Sequence, residues 1–343
     1  MRLKALPRAR RFRSLAGPFL FLVLAGPGFA ALSPAKVTGP EACAECHVEE
    51  IEAWKRSKHR KTLNELPRRK ETADMLLKLG LTNIKTERQC ADCHFLGKVI
   101  DDEYQTVAGI SCESCHGAAA DWVKTHGDYG KGITKDTEPP DHREARLAQA
   151  AAAGMITPRN LYALGAACYA CHIVPDEKIT NTGGHPAGSA GFNLLPWSQG
   201  EVRHTILHTG NKANPEATPE RRRELFVVGC ILEVEFGFRA VARATGRAGY
   251  GVTQARRADA ARQLLEKIQA LAPTPELAEI VATARATGLR LNNAAALTAA
   301  AEKISALGRA FAARVSGAQL AGIDALLPGP ELSKGKPYQV GAP

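Results

Sequence analysis

Eight of the nine cysteines fall into four copies of one pattern, Cys-x-x-Cys-His: Cys43, Cys46 and His47; Cys90, Cys93 and His94; Cys112, Cys115 and His116; Cys168, Cys171 and His172. Two thiols three residues apart reach the two vinyl groups on one edge of a porphyrin and bind them as thioethers. The imidazole that follows turns under the ring and ligates iron. A disulfide framework gives no reason for histidine at all four following positions. Structural zinc would need a second Cys-x-x-Cys half, or a later histidine pair, for each site. The pattern therefore calls for four covalently attached haem c groups, with the eight cysteines as attachment points and the four histidines as iron ligands.

A six-coordinate haem needs a second axial ligand, and six histidines remain for that role: His59, His126, His142, His185, His204 and His208. Methionine offers little, since Met1 lies in the leader and Met75 sits in a stretch that reads as a helix interior, leaving Met155. Bis-histidine coordination is the expectation, and without methionine ligation the haems should have low potentials.

Residues 48–66 have helix-forming composition, with Trp54 and His59 inside and Pro67 after. On one continuous helix His47 and His59 would stand about 18 Å apart and roughly 120° apart in azimuth, so they could not clamp one iron. A ligating His59 must then serve a different haem. His126 follows the third motif by ten residues and by the same reasoning serves a neighbour. His185 lies in Thr-Gly-Gly-His-Pro, whose glycines allow backbone to approach a flat ring. His204 and His208 are expected on one face of a short helical stretch. The candidate second ligands are thus His59, His126, His185 and His204, with His142 expected at the surface among charged residues.

Residues 1–30 read as a cleaved signal peptide: six basic residues precede an apolar run of about 11, short of the roughly 20 that span a bilayer. Arg10 and Arg11 hint at twin-arginine export, but apocytochromes receive haem after crossing unfolded, which favours general secretion to the periplasm. The formal charge of +10 includes those six residues; without them 39 basic residues face 35 acidic ones, or +4. Haem propionates lower this further, and no basic block interleaved with aromatics supports nucleic-acid binding.

The fold class expected is mainly α, with a multihaem domain over 31–213 that has little regular sheet. A C-terminal helical bundle over 214–327 and a flexible Gly/Pro-rich tail over 328–343 follow. Thr218 and Pro219 are an N-cap and first-turn pair for a helix to about 245, and Ala-rich helices are expected over 253–271, 275–287 and 292–315. Cys230 sits in an apolar run and reads as a buried free thiol.

The Cys-Ala-Glu-Cys-His segment with Trp54 and His59, the Cys-Ala-Asp-Cys-His segment, the stretch Gly109-Ile-Ser-Cys-Glu-Ser-Cys-His-Gly117 followed by His126, and Cys-Tyr-Ala-Cys-His together resemble the tetrahaem cytochrome c-554 family over about residues 40–210. The resemblance implies His59 as second ligand of the fourth haem, His126 of the first and a histidine after the last motif for the third, while the second haem can stay five-coordinate. This chain departs from that pattern in having three histidines after the last motif.

The resemblance also implies stacked haems that pass electrons between a donor and an acceptor protein, with no catalytic residue. Two alternatives remain: an enzyme whose five-coordinate haem binds a small nitrogen oxide, and a haem subunit docked into a larger respiratory complex. Membrane association is expected only through a partner or an uncleaved signal.

Overall fold

The computed structural model describes residues 32–247 and 249–341, so the expected signal segment lies outside the described residues. The chain is mainly α, with one two-stranded sheet. Short helices carry the motifs. Helix α1 (Glu41–Ala44) opens the first; it is followed by α2 (Val48–Arg56), α3 (Lys58–Glu65) and α4 (Lys70–Leu79). The second motif lies in α5 (Arg88–His94), the third in α6 (Cys112–His116) and the fourth at the end of α9 (Leu161–His172). In these three the motif histidine is the last helical residue. Positions i and i+3 share a helix face, so each helix turns both of its thiols to one side.

One sequence expectation is corrected here. The segment 48–66 is two helices, because Ser57 takes an extended conformation (φ −74°, ψ 157°). Its hydroxyl accepts from Arg60 N at 3.2 Å and donates to Trp54 O at 2.7 Å, capping α3 while closing α2. Serine competes with the helix for backbone partners, which apolar periodicity does not register. A straight-helix measurement between His47 and His59 therefore does not apply.

Strands β1 (Phe95–Ile100) and β2 (Glu103–Gly109) form an antiparallel hairpin that links the second motif to the third. Its two-residue loop, Asp101 and Asp102, has φ of 51° and 63° at successive positions, the left-handed pair that fits the strand twist. Gly109 ends β2 flush against α3: a Cβ there would lie 2.3 Å from His59 O and 2.6 Å from Arg60 O. Only glycine fits, and the close approach fixes α3 beside the third motif.

Helices α7 (Val123–Gly127), α8 (Pro140–Ala152), α10 (Glu177–Asn181) and α11 (Leu194–Ser198) complete the motif-bearing part. The C-terminal helices are α12 (Pro219–Arg243), α13 (Tyr250–Leu271), α14 (Pro275–Ala286) and α15 (Ala294–Arg314). The Thr218 side chain accepts from Arg221 N, and Pro219 occupies the first turn. Helix α12 is buried on every side: Val227, Val228, Ile231, Leu232, Val234 and Phe238 are all at 0% exposure. A helix whose middle is apolar on most of its faces belongs in a core, and α12 lies against α9, α11, α13 and α15. The largest apolar cluster accordingly runs from Leu161, Tyr162 and Tyr169 of α9 through the C-terminal helices. Cys230 is buried in it, and desolvation pushes its thiol pKa well up.

The apolar clusters elsewhere are small. Val37 packs with Leu96 and Ala108, Ile84 with Ala91 and Phe95, and Ala119 with Trp122 and Ala150. The stretch 328–341 runs back over the first motif's segment: Tyr338 OH donates to Glu49 Oε2 at 2.8 Å, and Tyr338 packs with Ala53 and Ile206. Among the described residues no helix is long and apolar enough to cross a membrane.

Candidate haem sites

Each motif histidine faces a second histidine from a distant segment. The ring centroids of His47 and His126 are 6.1 Å apart. For His94 and His185 the separation is 6.0 Å, for His116 and His204 6.1 Å, and for His59 and His172 6.2 Å. Four unrelated pairs converge on one separation, which van der Waals packing does not impose. Two metal–nitrogen bonds of about 2 Å each, added to the two ring radii, fill such a gap. The planes differ in relative orientation: 9° for His47 with His126, 52° for His94 with His185, 58° for His59 with His172 and 88° for His116 with His204.

The outward nitrogens are held. His116 Nδ1 donates to Ile156 O at 2.8 Å, His185 Nδ1 to Pro186 O at 2.7 Å and His204 Nδ1 to Val202 O at 2.6 Å. His172 Nδ1 hydrogen-bonds Ser189 Oγ at 2.7 Å. Such partners fix the tautomer and leave Nε2 free to bind a metal. His47 Nδ1 stands 3.7 Å from Glu50 Oε2, and that carboxylate holds the imidazole pKa up. His126 differs, since its Nδ1 is buried with no hydrogen-bond partner. A buried imidazole nitrogen without a protein partner fits a ring whose role is to ligate a metal.

Burial keeps most of these imidazoles in the neutral form that a metal needs. Desolvation, with the neighbouring His185, lowers the His94 pKa to about 4. Desolvation with His47 does the same for His126, and desolvation with His59 for His172. His59 and His116 are lowered chiefly by burial.

The attachment cysteines also meet across motifs. The Cys43 thiol lies beside that of Cys112, and Cys93 beside that of Cys171. Cys115 lies close enough to Cys168 and Cys171 to raise both thiol pKa values electrostatically. The motifs thus stand in the spatial order first, third, fourth, second.

All four second-ligand candidates lie opposite a motif histidine. His142 and His208 do not: His142 is exposed and bonds Glu138 Oε1 at 2.7 Å, and His208 is exposed on a short 3-10 turn. His204 precedes that turn in irregular backbone, so the helical face expected to carry His204 and His208 together is not formed. Asn214 prevents it, because its Oδ1 accepts from Thr205 N and its Nδ2 donates to Arg203 O, pinning the backbone on both sides of His204.

Several supporting residues carried no distinctive sequence signal. Phe192 stacks on His172 at 4.3 Å and 5°, and Trp197 meets it edge-on at 5.0 Å. Glu113, inside the third motif, is 1% exposed. Its carboxylate accepts from Thr38 N at 2.9 Å, Gly39 N at 2.8 Å and Ala119 N at 2.7 Å. An acid within a haem motif could have flagged this role, since a buried carboxylate must find donors. Trp54 Nε1 donates to Ile110 O at 2.7 Å, tying α2 to the same stretch.

Paired thiols beside histidines that face histidines define a c-type cytochrome. Residues 42–117, which contain the first three motifs, match the family model described as Cytochrome c554 and c-prime. The chain is 29% identical over 129 residues to cytochrome c-554 of Nitrosomonas europaea, an alignment covering 35% of this chain and 54% of that one. It thus spans about half the length of that curated relative. No solved structure matches. Over this part the chain is similar to the cytochrome c-554 family.

Proposed function

We propose that the protein is an exported electron carrier holding four haem c groups, every iron bound by two histidines. The observation that carries this reading is the recurrence of one histidine–histidine separation, 6.0 to 6.2 Å, at all four motifs. The first haem would be held by Cys43, Cys46, His47 and His126, and the second by Cys90, Cys93, His94 and His185. The third would use Cys112, Cys115, His116 and His204, and the fourth Cys168, Cys171, His172 and His59.

Bound haem supplies one-electron chemistry between ferric and ferrous iron, at low potential when both axial ligands are imidazole. The protein supplies fixed coordination. Ile156, Ser189, Pro186 and Val202 orient the imidazoles, so the ligand set need not rearrange when the charge on iron changes. The contacts of Cys43 with Cys112 and of Cys93 with Cys171 place the attachment points of successive haems side by side. That arrangement suits relay between a donor and an acceptor protein. A second histidine opposite His94 argues against an open iron at the second motif, and with it against the nitrogen-oxide enzyme.

Mass spectrometry of the denatured mature protein should retain four haems, and electron paramagnetic resonance of the oxidised protein should show low-spin iron alone. Three haems, or a high-spin signal matching one iron in four, refutes the reading.

A further inference from the structure

The histidine opposite the second motif is gripped from both sides by the C-terminal helices. His185 follows α10 through Gly183 and Gly184; Gly184 has φ +83°, and His185 N donates back to Ile179 O at 3.2 Å. Helix α10 is only five residues long and too short to hold itself. What holds it is the connection between α12 and α13. Glu177 Oε2 accepts from Thr245 N at 2.7 Å and Thr245 Oγ1 at 2.8 Å, and Asn181 Oδ1 accepts from Tyr250 N at 2.9 Å. Asn181 Nδ2 in turn donates to Glu177 Oε1 at 3.1 Å. Two residues beyond His185, Ala187 O accepts from Gln254 Nε2 of α13 at 2.5 Å. Gln254 is at 0% exposure, so this bond is sheltered from water.

We infer that the α12–α13 corner, through Glu177 and Asn181, is the device that keeps His185 on the second haem and closes that iron to small ligands. The inference rests on the bis-histidine reading above and assigns a role to the C-terminal helices. Glu177 and Asn181 are positioning residues, which touch neither haem nor iron. His204, by contrast, is held by Asn214 and the chain's own end, with Tyr338 O accepting from Asn214 Nδ2 at 2.9 Å. The third haem is therefore independent of this corner.

The test uses the full-length holoprotein and carbon monoxide as probe of the reduced state. Wild type should bind none. Loss of a partner that orients a metal ligand costs about 10- to 100-fold in metal affinity or activity. Asn181→Ala and Glu177→Gln, made singly, should each shift the His185 equilibrium by about that factor and admit up to one carbon monoxide per four haems. A high-spin ferric signal of the same stoichiometry should appear, and free imidazole should abolish it. Glu266→Gln, which removes an ion pair to Arg285 between α13 and α14, should lower stability without carbon monoxide binding.

Variants that lose stability yet keep four low-spin haems and bind no carbon monoxide overturn the inference while leaving the bis-histidine reading intact. Carbon monoxide binding by wild type at one haem in four refutes that reading at the second motif. Should Asn181→Ala fail to accumulate, Glu177→Gln decides alone, since it keeps the side chain's size and an acceptor oxygen.

Discussion

Replacing His59 by Ala removes the imidazole that faces His172 across 6.2 Å and should uncouple α3 from α9. In the proposed holoprotein that link would close a loop of about 113 residues between positions 59 and 172. If the bond acts as a cross-link, restricting the unfolded chain as a disulfide does, a loop of this size is worth about 5 kcal/mol. Residual ligation in the unfolded state reduces this, making it an upper bound. At about 2 °C per kcal/mol for a domain of this size, the melting temperature should fall by as much as about 10 °C.

The spectroscopic consequence is sharper than the thermal one. Attachment needs only the Cys-x-x-Cys-His segments, so four haems should remain bound. One iron in four should turn high-spin, as read by electron paramagnetic resonance and the visible spectrum. Four unchanged low-spin haems in His59→Ala would remove His59 from the ligand set. A drop in melting temperature without a spin change would show that α3 is held by its packing on Gly109 and by the bond from Thr62 Oγ1 to His94 O. Either result refutes the pairing of His59 with the fourth haem.

Oxidised wild type should show two kinds of low-spin resonance, a rhombic one from the near-parallel pair His47 and His126 and a highly anisotropic one from the perpendicular pair His116 and His204; identical resonances from all four haems contradict the geometry. Glu113→Ala strands the buried amides of Gly39 and Ala119 and the part-buried amide of Thr38 and should cost about 3 kcal/mol in a thermal unfolding experiment. Arg146 beside Glu138 lowers its carboxyl pKa from 4.5 to about 2, so the pair stabilises the fold above pH 4.5 and that increment is lost as pH falls toward 2. Glu138→Gln should therefore be less stable than wild type at pH 6 and converge with it at pH 2; a constant difference across an acid titration by circular dichroism rules this out. In the haem-free full chain, hydrogen exchange should find α12 to α15 protected and the segments around the first three motifs open, and uniform protection would show that haem is not needed to order them.

The candidate attachment residues are legible in the sequence because thioether chemistry demands adjacency. Both cysteines and the histidine lie within five residues, and no fold has to be known to recognise them. Geometry in the sequence left the candidate second ligands as a pool, and only the resemblance assigned His59 and His126, since His126, His185 and His204 reach the histidines they face through long-range structure. What places His185 opposite His94 is a bond to Ile179 O and a grip from α13, neither of which has a spacing signature. The long apolar helix after Thr218 was plain, because its cap, its proline and its apolar run agree with its tertiary role. The break at Ser57 was not, because a single serine hydroxyl overrides otherwise good helix composition.

The division of apolar burial explains why one chain joins such different parts. Around the first three motifs the clusters number a few side chains each, too few to offset the entropy of ordering those segments. Haem faces bound among them would supply the missing apolar surface, and iron–histidine bonds would supply links between distant segments. The C-terminal helices need neither, since Phe238, Leu265, Ile268, Leu277, Ile304 and Phe311 are at or below 1% exposure. The two regimes meet at α9. Its Tyr162 and Tyr169 belong to the large apolar cluster, while its Cys168, Cys171 and His172 belong to the fourth motif. Tyr162 is fastened further by its hydroxyl, which donates to the buried Glu235 carboxylate of α12, itself paired with Arg239. A core packed without any cofactor contact would thus present the helix of the fourth motif already shaped, and its α13 edge holds the loop that carries His185. The remaining motifs can be ordered outward from that base, the second and third against α9 through the contact of Cys93 with Cys171 and the nearness of Cys115, and the first against the third through Cys43 and Cys112.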